Sequence, residues 1–94
     1  MYHVRTTLDR DGEYWNDWTL GGLGETFTLD AANARVERAA SWYRYTDVDV
    51  QIGRETFPSV TLTVANVTYT DAGHTWHAII YVSRCDNDGF CQDC

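Results

Sequence analysis

Residues 28–45 read TLDAANARVERAASWYRY, and this stretch decides the fold. It is the one segment whose apolar residues recur with a helical period. Leu29, Ala32, Val36, Ala39, Ala40 and Tyr43 fall three or four apart and form one apolar stripe. Thr28 precedes the stripe as an N-cap. Asp30 sits in the first turn, where a carboxylate meets the positive end of the helix dipole. The alanines let such a helix lie close on a sheet.

The flanking sequence has a period of two. Upstream, YHVRTTL places Tyr2, Val4, Thr6 and Leu8 on one strand face and His3, Arg5 and Thr7 on the other. Asp11-Gly12 then signals a tight hairpin turn, and EYWNDWTL reads as the return strand. GGLGE breaks the pattern as a loop. Downstream, VDVQI alternates, with Val48, Val50 and Ile52 expected to point inward. Pro58 lies in the connection RETFPS. VTLTVANVTYT is a long β-branched strand with Val60, Leu62 and Val64 on one face, and DAGH is a turn. The last strand, TWHAIIYVSR, is apolar on both faces, as a central strand would be.

The order is therefore β-β-α-β-β-β. Its economical packing is an α+β, two-layer domain: about five mostly antiparallel strands with one helix on the sheet. Residues 1–84 are expected to form this domain and residues 85–94 a cysteine-bearing tail.

Ninety-four residues suit one domain with a single modest core. Ten Asp and four Glu stand against seven Arg and no Lys, a net charge of −7. Duplex nucleic acid is bound by neutralising phosphates with Lys and Arg, so this balance argues against such a partner. No stretch reaches the ~18–20 apolar residues of a membrane span. MYHVRTTLDRDGE has no apolar core of a secretory signal, so a cytoplasmic location with reduced thiols is expected.

Assembled catalytic motifs are missing. There is no G-x-S-x-G elbow and no H-E-x-x-H. GGLGET stands where a phosphate loop would sit but lacks the Gly-Lys-Ser/Thr of a P-loop. Phe27 replaces the third glycine of a dinucleotide fingerprint. Glu25 and Asp30 add negative charge where an anion would bind. His74 and His77 straddle a turn and a strand start, and their spacing of three sends them to opposite faces. Asp9 and Asp11 flank an exposed hairpin tip, where neither carboxyl is expected to be perturbed. The chain is accordingly expected not to be an enzyme.

Two aromatic stretches are less bland. On a helix running to Tyr45, at about 100° per residue, Arg35, Arg38, Trp42 and Tyr45 fall on one stripe, away from the apolar one. Trp, Tyr and Arg are enriched at interface hot spots. The plainer arrangement has Trp42 covering the core edge with Arg38 over its ring. In EYWNDW, Tyr14, Asn16 and Trp18 share one strand face, and Trp15 and Asp17 share the other. One helix cannot cover both faces of every strand, so some of these rings are expected to be exposed or partner-covered. The candidate protein-contact residues are Trp15, Trp18, Arg35, Arg38, Trp42 and Tyr45.

All three cysteines fall in residues 85–94, CDNDGFCQDC. Cys91 and Cys94 have zinc-knuckle spacing, and Cys85 is a candidate third ligand. His77 lies about 26 Å before Cys85 along an extended strand, at ~3.3 Å per residue. His3 is better placed: if the first and last strands are antiparallel neighbours, one starts beside the other's end. Cys85, Cys91, Cys94 and His3 thus form the one zinc site that can be drawn. Against it, the paired C-x2-C signature is missing. The alternatives are free thiols, or one disulfide with a thiol spare. A redox role is disfavoured because CQDC lacks the helix start that activates a thiol. A calcium loop would place Arg84 at its first ligand position. No other cofactor is expected.

These features describe a small acidic, non-enzymatic binding protein acting through protein–protein contact. Such a chain fits a phage-encoded or bacterial inhibitor or accessory factor. The alternatives are a zinc-binding regulatory module using the cysteines, and a small-ligand binder using the Arg/Trp helix face.

Overall fold

A computed structural model describes residues 2–21, 25–45, 47–56 and 60–84. The GGLGE residues 22–24, Pro58 with both its neighbours, and all three cysteines lie outside the described residues. Six elements follow in the expected order: β1 (Tyr2–Arg10), β2 (Glu13–Thr19), α1 (Leu29–Ala40), β3 (Asp49–Thr56), β4 (Thr61–Asp71) and β5 (His74–Arg84). The strands form one sheet in the order β2-β1-β5-β4-β3, and every neighbouring pair is antiparallel. α1 packs on one face, against β4, β5 and β1. The architecture is α+β in two layers. The apolar strand β5 is the middle one.

Turn chemistry sets both tight hairpins. Asp11 and Gly12 take φ of 52° and 87°, and Ala72 and Gly73 take 52° and 79°. Two successive positive φ values are what a two-residue type I′ turn requires. Ala72 is the costly member, because a Cβ crowds the backbone in this region.

α1 starts where expected: Thr28 Oγ1 accepts a hydrogen bond from the Ala31 N–H at 3.3 Å. It ends earlier than residue 45. Ser41 caps it, its hydroxyl donating to the Arg38 carbonyl at 2.7 Å. Beyond that point Tyr43 and Tyr45 both pack on Tyr69, with ring centroids 5.2 and 4.3 Å away. Residues two apart on a helix point to nearly opposite sides, at ~100° per residue. Laying both rings on one partner therefore requires the chain to leave the helix.

Ala32, Val36 and Ala40 bury their side chains on Val4, Ala65, Val67, Ala78, Ile80 and Val82. Full burial of Val36 or Ile80 stabilises by roughly 1.5–3 kcal/mol each. A polar clamp holds the helix in register. Pairing of β4 with β5 begins at Val64 opposite Tyr81. Ahead of it, Asn33 of α1 satisfies β4 itself: its amide donates to the Thr61 carbonyl at 3.1 Å and accepts from the Thr63 N–H at 2.9 Å. The side chain does there what a neighbouring strand would do.

The helix spans only the three central strands. Both edge strands are exposed nearly throughout. This corrects the expectation for β3. Val50 and Ile52 stand opposite the buried Val67 and Ala65, so they share the helix-side face. They remain 38% and 48% exposed, because α1 does not reach the outermost strand. Val48 alone of the three packs against the core. On β4 the buried set is Thr63, Ala65, Val67 and Tyr69, while Leu62 and Val64 are half-buried on the opposite face.

Candidate functional site

Because α1 stops short of β2, a strip of the helix-side face stays open between them. It forms a cleft of about 310 Å³. Val4 and Ile80 of the core, with the buried Thr6, line its depth. Trp18 and Leu20 come from the β2 side, and Arg35, Arg38 and Ala39 from α1. Trp42, Tyr43 and Tyr45 complete the lining from the segment after the helix. Five of the six expected contact residues thus converge: Trp18, Arg35, Arg38, Trp42 and Tyr45. Trp42 and Tyr45 arrive there from outside the helix, not along a helical stripe.

The cleft is apolar below and cationic at its border. Trp42 is 69% exposed, and Trp18 and Tyr45 are about two-fifths exposed. Among the described residues no carboxylate lines it, although the chain carries a net charge of −7. Arg35 lies 5.8 Å from the Phe27 ring centroid, at the outer limit of a cation–π contact. Among the described residues, neither Arg35 nor Arg38 is paired with a carboxylate. The pairing of Arg38 with Trp42 is not formed among the described residues; Arg35 instead lies toward Phe27, and Arg10 over Trp15.

Trp15 lies outside the cleft, and a bulge decides where it points. The β1–β2 register slips between Leu8 opposite Asn16 and Asp9 opposite Tyr14, leaving Trp15 as the extra residue. Tyr14 then shares a face with Asp17, and its hydroxyl donates to Asp17 Oδ2 at 3.0 Å. Trp15 turns to the helix side, edge-on to Trp76 at 5.7 Å, with Arg10 stacked 3.9 Å from its centroid. The expected sharing of a face by Trp15 and Asp17 is therefore corrected. A row of rings links this corner to the cleft: Tyr45 stacks on Tyr69 at 4.3 Å, and Tyr69 lies 6.4 Å from Trp76. Burial, with the neighbouring Tyr43, Tyr45 and Asp71, pushes the Tyr69 phenol up to about 12. Burial also raises Tyr43. Both rings stay neutral at ordinary pH and contribute packing, not charge.

The hairpin tip is less passive than expected. The Asp11 carboxylate accepts the Thr75 N–H at 2.9 Å and a hydrogen bond from His74 Nδ1 at 2.6 Å. The Thr75 N–H and then His74 hold its carboxyl below the usual carboxylate value. No sequence pattern marks this bridge, since its partners are more than sixty residues apart. His77 points to the other face, its Nε2–H donating to Asn66 Oδ1 at 3.1 Å. The two histidines do not share a site.

His3 is wholly buried opposite Ser83, and Tyr2 lies opposite Arg84. The start of β1 therefore does lie beside the end of β5. Nδ1 of His3 is 2.9 Å from the Glu25 carbonyl oxygen, and its buried Nε2 has no hydrogen-bond partner. Among the described residues no three His, Cys, Asp or Glu side chains gather as a metal site. Among them, too, no helix is long and apolar enough to cross a membrane. Comparison with protein-family models, curated proteins and solved structures finds no match to this chain.

Proposed function

We propose that the protein is a non-enzymatic binding protein whose recognition site is the cleft between α1 and β2. The partner is a protein segment that seats an aromatic or branched apolar side chain on Val4 and Ile80 and offers a carboxylate to Arg35 and Arg38. The observation that carries this reading is the convergence of Trp18, Arg35, Arg38, Trp42 and Tyr45 from three separate segments. These are residue types that dominate interface energetics. The exposed rings extend past the cleft to Trp15, which a small molecule of cleft size would leave unused. A protein partner would cover both. Outside the cleft the surface is acidic, so a net-basic partner approaches fastest, with its carboxylate confined to the contact. Such binding without chemistry suits an inhibitor or accessory factor.

The test is selection of binding peptides from a random displayed library, followed by measured affinities. Selected peptides should pair an aromatic or branched residue with Asp or Glu. Trp42→Ala should weaken them by at least ~2 kcal/mol, about 30-fold, as loss of a hot spot does. Arg38→Glu should select against the acidic residue. Equal affinity for wild type and Trp42→Ala would remove the cleft from the account.

A further inference from the structure

We propose that the apolar group and the anion taken by the cleft belong to one side chain, a phosphotyrosine displayed by the protein partner. This deepens the binding reading above and rests on it. Size and shape point to a single ring. The cleft holds about 310 Å³, at the low end of the ~300–1,000 Å³ common to ligand sites. Its floor is closed, since Val4 and Ile80 are 2% and 1% exposed. Trp18, Trp42 and Tyr45 stand around that floor. Aromatic walls favour a flat ring over a branched chain, through edge and face contacts beyond simple area burial.

Charge points to a dianion. α1 carries two arginines and two carboxylates, and it sorts them. Arg35 and Arg38 line the cleft, whereas Asp30 and Glu37 line a separate hollow with Arg54 and Thr63. Residues three apart on a helix are neighbours, so the two guanidinium groups rise from adjacent positions beside one cleft. Among the described residues neither is paired with a carboxylate. Two like charges held side by side repel until a ligand balances them. A carboxylate offers one charge, and one guanidinium fork takes both its oxygens. A phosphate monoester offers a charge of about −1.5 to −2 and three acceptor oxygens, enough for both forks. Arg35 loses little by turning to it, because its contact with Phe27, at 5.8 Å, is at the outer limit. Tyrosine is the residue that carries a phosphate on a ring. A phosphorylated serine or threonine would reach the arginines but leave the apolar floor unfilled.

The experiment titrates the full chain with phenyl phosphate, phenylacetate, inorganic phosphate and AMP, read by calorimetry. At neutral pH phenyl phosphate should bind at least ~10-fold tighter than each of the others, the scale of one added charged hydrogen bond. Its affinity should rise severalfold between about pH 5 and pH 7, as the second phosphate proton leaves near pH 6. Phenylacetate, already ionised, should stay flat over that range. Neither arginine is buried, and Arg35→Gln and Arg38→Gln should each lower the affinity for phenyl phosphate about 10-fold. Phenyl phosphate no tighter than phenylacetate overturns the phosphotyrosine and leaves a carboxylate ligand in the same cleft. AMP as tight as phenyl phosphate overturns it in favour of a nucleotide. Unchanged affinity in both arginine variants overturns it as well. So does an absence of phenyl phosphate binding while selected peptides still depend on Trp42. Failure of the binding reading itself looks different: Trp42→Ala then leaves every probe and every selected peptide unaffected.

Discussion

β2 and β3 border the same sheet on opposite sides, and α1 covers neither. Both are exposed nearly throughout, and both present apolar side chains on the helix-side face. Their neighbours differ. On β3, Val50 and Ile52 stand among Asp49, Gly53, Arg54 and Glu55, the charged and twisted dressing that blunts a free edge. On β2, Trp15 meets Arg10 and Trp76, while Trp18 faces the arginines of α1 across a cleft. Exposure is common to the two edges. Among the described residues, aromatic and arginine side chains from distant segments converge beside β2.

The largest effect that would sharpen this comparison lies beneath the cleft. Ile80→Ala should cost about 2–5 kcal/mol of stability, because a fully buried side chain leaves a cavity. Ile52→Ala on β3 should stay within about ±0.5 kcal/mol. Urea unfolding of both variants measures this. Similar losses would mean that β3 is packed against something after all.

Asn33 tests how the helix is held on the β3 side. Asn33→Ala leaves the Thr63 N–H without its acceptor and should cost about 1–3 kcal/mol. Hydrogen exchange should quicken at Thr63 before it quickens in the β1–β2 hairpin. Uniform quickening would mean that Asn33 is no local clamp.

Asp11 tests the β2 side. Its carboxyl is held below the ordinary value of 3.8, so its contribution is present above that value and is lost as pH falls through the lower folded value. Thermal stability should therefore decline below about pH 4, where an ordinary carboxyl takes up its proton. Asp11→Asn should be slightly less stable at neutral pH and flatter on the acid limb. An unchanged acid limb would show that the bridge to Thr75 and His74 adds nothing. The effect is expected to be the smallest of the three, because the bridge is exposed.

Much of the fold was readable because its signals are local. Alternation marked β1 and β3, β-branched and apolar runs marked β4 and β5, Asp11-Gly12 marked the hairpin to β2, and Thr28 marked the helix start. The helix end was misread because Tyr43 and Tyr45 respond to Tyr69, a distant residue. The face of Trp15 was misread because a bulge depends on the partner strand, not on the bulged residue. The candidate cleft was half legible. The aromatic and arginine residues stood out by type, but the reason offered, one helical stripe, was not the reason they meet. Asn33 and the Asp11 bridge carried no signal, since each acts on backbone groups about thirty or sixty residues away.

By itself the sequence determined the element order, the two-layer class and the acidic surface. These follow from periodicity and charge, which each segment carries wherever it is placed. Tertiary structure alone decided which strands became edges, that α1 would cover only three of five strands, and that the gap beside β2 would collect Trp18, Arg35, Arg38, Trp42 and Tyr45. A strand's period says that it has two faces. Only its neighbours determine which face is buried and what gathers on the other.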